Sequence, residues 1–299
     1  MLTIRILCER WVDARLHAGI RRLTASGYRT SLRSLVDHLG DRRADSITID
    51  DMLRHRRYLL DRLSQGTAKV RWDISMAMVR WAQDRSEIPY FLVPRDLRRM
   101  RGSPPFRRVF SPQEIVRLLA CACAKMRLMI LLGINLGYGN RDCARLQDRH
   151  VSGHIVDAPR FKTGADRRNW LWPETLEALS EVGLPIENAR GQPIVSDGQD
   201  YIKPRMHALM RRAGVPSNRR GFYSFRRSYR TAIDDHWDRP AIDLTMGHST
   251  PGMGARYVAW ISDDRIRQVS VHARSKLLCE GQNGMSSPME PPLRFAGGS

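Results

Sequence analysis

Tyr223, Arg226 and Arg230 stand at i, i+3 and i+7, a spacing that puts a phenol and two guanidinium groups on one face of a helix. Phe225, Tyr229, Ala232 and Ile233 take the opposite face and would pin that helix to a core. An arginine held in this way is a fixed cation suited to an anionic group. Arg141 follows a Gly137-Tyr138-Gly139 turn at the start of a helix, where free backbone N–H groups also favour an anion. Arg141 and Arg226 together would make a two-pronged clamp for phosphate. Lys162 falls in a Phe161-Lys162-Thr163-Gly164 turn and is one of only five lysines among 50 basic residues, which points to a titratable ammonium at a hairpin tip. His248 lies in Met246-Gly247-His248-Ser249. Tyr257 comes nine residues later, after Gly252 and Gly254 and beside Arg256, a setting for a mobile segment rather than a packed aromatic. Such a set suits phosphodiester cleavage. That reaction needs a nucleophile, a sink for charge on the nonbridging oxygens and a proton for the leaving alcohol.

The composition agrees with a polyanionic partner. The chain has 299 residues, 50 Lys and Arg against 31 Asp and Glu, and a net charge of +19, with the excess spread over both halves. Nucleic acid comes first and an anionic membrane a distant second. The start, MLTIRILCERW, carries Arg5, Glu9 and Arg10 and is expected not to be a secretory leader. The longest apolar stretch, 128–139, is too short to span a bilayer. Cys8, Cys121, Cys123, Cys143 and Cys279 are odd in number and irregular in spacing, so free buried thiols are expected and a zinc site is not.

The elements that must position these residues fall into two domains. Residues 1–94 read as helical, with segments at 6–23, 28–39, 49–64 and 67–84 separated by Gly27, Gly40 and Gly66. In the last segment Val70, Ile74, Ala77, Met78 and Trp81 form the apolar stripe. Residues 95–109 hold six arginines, a Gly-Ser and Pro104-Pro105, and read as a basic linker. A second domain, 110–278, opens with Ser111-Pro112-Gln113-Glu114, a capping box with proline at the first helical position. An apolar helix is expected near 126–138, then short β-like runs over 153–172 around the Lys162 turn. Helices resume near 173–182, 201–213, 222–237 and 262–277. The tail, 279–299, is rich in Gly, Ser and Pro and is expected to be disordered.

In their order and spacing, these pieces resemble the tyrosine recombinase, or phage integrase, family. The resemblance is carried by Arg141, Lys162 in its turn, Phe222-Tyr223-Ser224-Phe225-Arg226, Gly247-His248 and Tyr257, and it is strong over 110–260. It implies a mainly α fold with a small β-sheet: a helical, SAM-like core-binding domain plus a mixed α/β catalytic domain. It implies a site-specific DNA recombinase that cleaves and rejoins strands through a 3′-phosphotyrosyl intermediate. Tyr257 would attack the scissile phosphate, Arg141 and Arg226 would stabilise the phosphorane, and His248 would hydrogen-bond a nonbridging oxygen. Lys162 would protonate the leaving 5′ oxygen, with no metal or cofactor. The partner would be double-stranded DNA, engaged as a homotetramer in the synaptic complex by a solution monomer, and the setting the cytoplasmic nucleoid. The alternatives are a type IB topoisomerase-like enzyme and a decayed integrase that only binds DNA. The chain departs from the family pattern at two positions. Tyr223 stands where histidine is usual; a phenol can donate a hydrogen bond to phosphate but is a poor base at neutral pH. Ala144 stands where an acidic residue is usual, three after Arg141, and Asp142 is the available substitute.

Overall fold

The computed structural model of the chain describes residues 1–102, 108–188, 190–196, 199–248 and 260–279. The chain divides into two compact units, Met1–Phe106 and Arg107–Ser299.

The first unit is built from α1 (Ile4–His17), α2 (Arg22–Leu39), α3 (Ile49–Arg62), α4 (Gln65–Asp84) and the short α5 (Arg95–Arg98). Caps set two of the starts. The Thr3 hydroxyl accepts from Ile6 N, and Thr48 and Asp51 form a reciprocal capping box. Two glycines expected to separate helices do not: Gly27 lies inside α2 and Gly66 in the first turn of α4. Each costs a helix about 1 kcal/mol relative to alanine, less than the packing of an apolar face returns. The break between α1 and α2 falls instead near Gly19, at φ +87°. The buried face of α4 meets the expected stripe in part: Met78 is buried, and Ile74, Ala77 and Trp81 pack half-buried against the core. Ala68, Trp72, Met76, Met78, Val79 and Ala82 are buried, whereas Val70 is 55% exposed. Of the two tryptophans on the helix, Trp72 is fully buried and Trp81 only half-buried, and that choice sets the rotation.

The basic segment read as a linker from 95 starts out packed on this unit. Met100 is buried in its core, Arg98 Nε donates to Val93 O (2.7 Å), and Trp72 Nε1 donates to Arg98 O (3.2 Å). Residues 103–107, within the expected linker, and 280–299, the expected disordered tail, lie outside the described residues.

The second unit runs α6 (Pro112–Cys121), α7 (Ala124–Asn135), α8 (Asn140–Ala144), β1 (Val151–Ser152), β2 (Ile155–Asp157), β3 (Arg168–Trp170), α9 (Pro173–Val182), β4 (Val195–Ser196), β5 (Gln199–Asp200), α10 (Ile202–Arg212), α11 (Tyr223–Ala232), α12 (Arg239–Met246) and α13 (Asp263–Arg274). β1, β2 and β3 form an antiparallel meander, with Val151 opposite Val156 and Val156 opposite Asn169. The fold is mainly α with a small sheet, as expected. The helix expected over 222–237 ends at Ala232, and a further one, α12, starts at Arg239. Asp238 accepts from Ala241 N (3.1 Å) and Pro240 occupies the first turn, a start signal that the apolar pattern alone does not reveal.

α7 is buried along almost its whole length. It approaches α11 so closely that a Cβ at Gly133 would lie 2.8 Å from the Cβ of Phe225. At its end Asn135, 1% exposed, is fully satisfied. Its Nδ2 donates to Trp170 O and Ser270 Oγ, and its Oδ1 accepts from Trp172 N and Thr175 Oγ1. One amide thus joins α7, β3, α9 and α13. Among the described cysteines Cys8 and Cys143 are buried, as expected, and burial pushes the Cys8 thiol up to about 12. Cys121 is half-buried and Cys123 exposed, because both sit at the junction of α6 and α7 rather than within a packed helix face. No helix among the described residues is long and apolar enough to cross a membrane.

The capping box of α6 is present. Ser111 N donates to Glu114 Oε2 (3.0 Å), and Glu114 N donates to Ser111 Oγ (3.2 Å). Glu114 also receives both terminal nitrogens of Arg220, at 2.5 and 2.7 Å, and Arg220 is 8% exposed. Burial raises the Glu114 pKa, but the bonds from Arg220 and Ser111 N outweigh it and hold the carboxyl below its ordinary value of 4.5. A depressed carboxyl stabilises the fold above its unfolded pKa, and that contribution is lost as pH falls through the folded value. Glu114→Ala is expected to cost about 3–5 kcal/mol at pH 7, because it leaves Arg220 buried and unpaired. The gap to wild type should narrow toward pH 3; urea titrations at the two pH values check both statements.

Candidate active site

Arg226, on α11, is 3% exposed, and its guanidinium is held by backbone carbonyls. NH1 donates to Gly137 O (2.6 Å) and NH2 to Met246 O (2.7 Å), with NH2 also 3.3 Å from His248 Nε2. Both carbonyls are aimed by glycines. The turn after α7 needs Gly137 at φ +63°, where a Cβ would lie 2.8 Å from the Tyr229 ring. α12 closes in the left-handed conformation at Gly247 (φ +59°), with His248 N returning to Asp243 O (2.9 Å). The same cap therefore presents Met246 O to Arg226 and places the imidazole beside it. The buried arginine remains cationic, although burial first and the neighbouring Arg160 second lower its pKa.

His248 has a side chain 39% exposed and a pKa below its ordinary 6.5, through burial and then Arg226 and Arg160. These causes favour the neutral imidazole. Tyr223, 49% exposed, opens α11. Its ring lies against Gly139, whose Cβ position would be 3.5 Å from Tyr223 Cδ2. Gly139 is the N-cap of α8, and Arg141, half-buried, stands on the first turn of that helix with its Cζ 5.9 Å from the centre of the Phe161 ring. The structure thus brings Arg226, His248, Tyr223 and the start of α8 to one place.

Asp142 does not simply substitute for an acid at Ala144. Its Oδ2 accepts from Gly139 N (3.0 Å), which caps α8. Its Oδ1 faces Arg167 NH1 (3.2 Å) and Phe161 N (3.4 Å) on the β2–β3 hairpin. The carboxylate ties the helix that bears Arg141 to the hairpin that bears Lys162. Arg167 is 2% exposed, stacks 3.7 Å over the Tyr138 ring and donates from Nε to Ala158 O (3.2 Å). Lys162 is exposed at the hairpin tip, and among the described residues it makes no hydrogen bond to this cluster. Tyr257 lies outside the described residues. The residues that follow it are anchored: Asp263 pairs with Arg168 of β3 (3.1 Å), and Arg265 grips Asp238 through two bonds of 2.7 Å.

Arg160 and Arg167 belong to the cluster, and the sequence did not single them out. Among 45 arginines neither spacing nor composition marks them. Only the hairpin register shows that one faces α12 and the other is buried against Tyr138.

Arg226 is therefore structural as well as chemical. Arg226→Ala is expected to lower stability by about 2–4 kcal/mol, since two buried carbonyls lose their donor at about 1–3 kcal/mol each, part of it recovered by water. Arg141→Ala, at a half-buried position on a short helix, is expected to cost less than about 1 kcal/mol. Thermal or urea unfolding of the two variants checks the contrast.

No protein-family model matches the chain, and no curated protein does. Among solved structures, a lambda integrase dimer bound to a COC′ core site superposes with a TM-score of 0.69 at 15% identity, over 87% of this chain and 98% of that one. A lambda integrase tetramer bound to a Holliday junction gives 0.67 at 14% identity, over 88% and 80%. The Tn1549 transposon integrase in complex with circular intermediate DNA gives 0.65 at 17% identity, over 90% and 99%. At these identities the likeness is one of fold: the chain has the fold of the tyrosine recombinase integrases.

Proposed function

We propose that this chain is a site-specific DNA recombinase that breaks and rejoins strands through a 3′-phosphotyrosyl intermediate. The observation that carries the reading is the buried Arg226 held beside His248 at the end of α12, within the integrase fold. A cation fixed by backbone carbonyls cannot swing away, so it is preorganised for the charge of a phosphorane. The solved neighbours are complexes with DNA, and the net charge of +19 fits the same partner.

In this reading the Tyr257 oxygen attacks the scissile phosphorus, its phenolic proton passes to water, and the bond to the 5′ oxygen breaks. Lys162, at the exposed hairpin tip, gives its proton to that leaving oxygen. Arg226 and Arg141 take up charge on the nonbridging oxygens, His248 hydrogen-bonds one of them, and Tyr223 donates a further bond. A second 5′ hydroxyl then attacks the phosphotyrosine and restores a phosphodiester. The chain is long enough on both sides to let Tyr257 come to the site. Nine residues back to His248 span at most about 30 Å, and six forward to Asp263 about 20 Å. Exchange of strands between two duplexes uses four such sites, so the working assembly is a homotetramer on DNA, formed from monomers.

A nicked suicide substrate tests the chemistry. Wild type is expected to accumulate a covalent protein–DNA adduct, Tyr257→Phe to bind DNA with wild-type affinity and form none, and Tyr223→Phe to form it more slowly. An adduct that survives Tyr257→Phe overturns the assignment, and a wild type that never forms one favours a protein that only binds DNA.

The basic segment tests how DNA is held. Arg98→Ala, Arg99→Ala and Arg101→Ala combined are expected to weaken binding to all sequences alike. The slope of log K against log salt should flatten by about 0.9 for each phosphate that an arginine no longer neutralises. Titrations at several salt concentrations on cognate and unrelated duplexes read both.

A further inference from the structure

The end of α12 holds two guanidinium groups, not one. Met246 O accepts from Arg226, and the next carbonyl, Gly247 O, accepts from Arg160 NH1 at 3.4 Å. The backbones are pressed together there: a Cβ on Gly247 would lie 3.0 Å from the Cβ of Arg160 and 3.3 Å from that of Arg167. Arg160 is the foremost charged neighbour of Arg226 and also acts on His248. The acids close to this group have other partners. Asp142 faces Arg167, and Asp243 stands 3.9 Å from His248 Nδ1. Among the described residues Arg160 pairs with no carboxylate, and residues 249–259 contain no acid.

A half-buried arginine beside a buried one is unfavourable in an empty site. A single long bond to a helix-end carbonyl does not require a guanidinium there, since any donor serves. An anion between the two cations removes the repulsion, and a phosphate with two nonbridging oxygens matches a pair of planar donors. The usual histidine at position 223 is a phenol here, which brings no positive charge to the phosphate.

We propose that Arg160 is a third phosphate-binding arginine of this site, meeting a nonbridging oxygen of the scissile phosphate beside Arg226 and supplying the cation that Tyr223 lacks. The proposal rests on the strand-cleavage reading above, and it makes Arg160 a catalytic residue.

The test uses the full chain and two nicked suicide substrates, identical except that one carries a methylphosphonate at the scissile position. That group lacks one nonbridging negative charge. Arg160→Gln keeps a donor for Gly247 O and removes the cation, and Arg160→Ala removes both. On the phosphodiester both variants are expected to form adduct about 10²–10³-fold more slowly than wild type, the typical effect of deleting one preorganised donor. Their DNA affinity should stay within about threefold, because many other arginines still neutralise the DNA backbone. On the methylphosphonate the deficit of both variants should shrink to less than about tenfold, because the charge that Arg160 faces is gone. An equal deficit on both substrates, or a normal rate for Arg160→Gln with a defect only in Arg160→Ala, would show a helix cap and overturn the proposal. Normal cleavage by both variants also overturns it. A wild type inactive on the phosphodiester overturns the cleavage reading itself, and the proposal with it. Arg160→Gln carries the test should Arg160→Ala fail to fold.

Discussion

The second unit is organised around one side chain whose charge is held by the backbone. Arg226 reaches from α11 to the turn after α7 and to the end of α12, and its two bonds at 2.6 and 2.7 Å fix three elements against a single guanidinium. The surrounding sequence follows from this. Gly133 lets α11 approach α7, Gly137 lets the turn present its carbonyl, and Gly247 ends α12 so that Met246 O points at the arginine. A lysine has no fork with which to span two carbonyls set by different elements, so the geometry asks for arginine in particular. Burial lowers the cation's solvation, but carbonyl dipoles aimed at it return much of that free energy. The fold thus maintains a fixed cation where three elements meet, held by the carbonyl dipoles of two of them.

The helical periodicity and the caps are legible in the sequence because they are local. The Ser111 box and the turn around Lys162 depend on residues within a few positions of one another, and each is present; on α11 the expected apolar residues do pack, but Arg226, expected on the face away from them, is buried among them. What escapes is decided by tertiary packing. Nothing near Gly27 shows that α2 runs through it, and nothing near Val70 shows that Trp72 would claim the core. α12 is hard to see because its apolar face is short and its start is signalled by Asp238 and Pro240 rather than by periodicity. Within the site, motif spacing finds Arg226 and His248. Arg160 and Arg167 are hidden by abundance, since in so arginine-rich a chain only the hairpin register selects them. Asn135 reads as part of an apolar helix, and its role emerges only when β3, α9 and α13 converge on it.

The position of Ala144 shows how the site redistributes charge. Ala144 is 6% exposed within the apolar core, among residues such as Cys143 and Leu146. A carboxylate there would have to be desolvated, and the structure instead carries its acid at Asp142. From that position the carboxylate offsets Arg167, caps α8 and fastens the hairpin, and it makes no bond to Arg226, Arg160 or His248 at the end of α12. A carboxylate placed between Arg226 and Arg160 would neutralise them and compete with any phosphate for the same donors. Setting the acid to one side keeps the scaffold balanced and leaves the α12 end with a surplus of positive charge. That surplus costs stability in the free protein, and in the proposed function a bound phosphate would relieve it, so that part of the electrostatic strain would be converted into affinity at the scissile position.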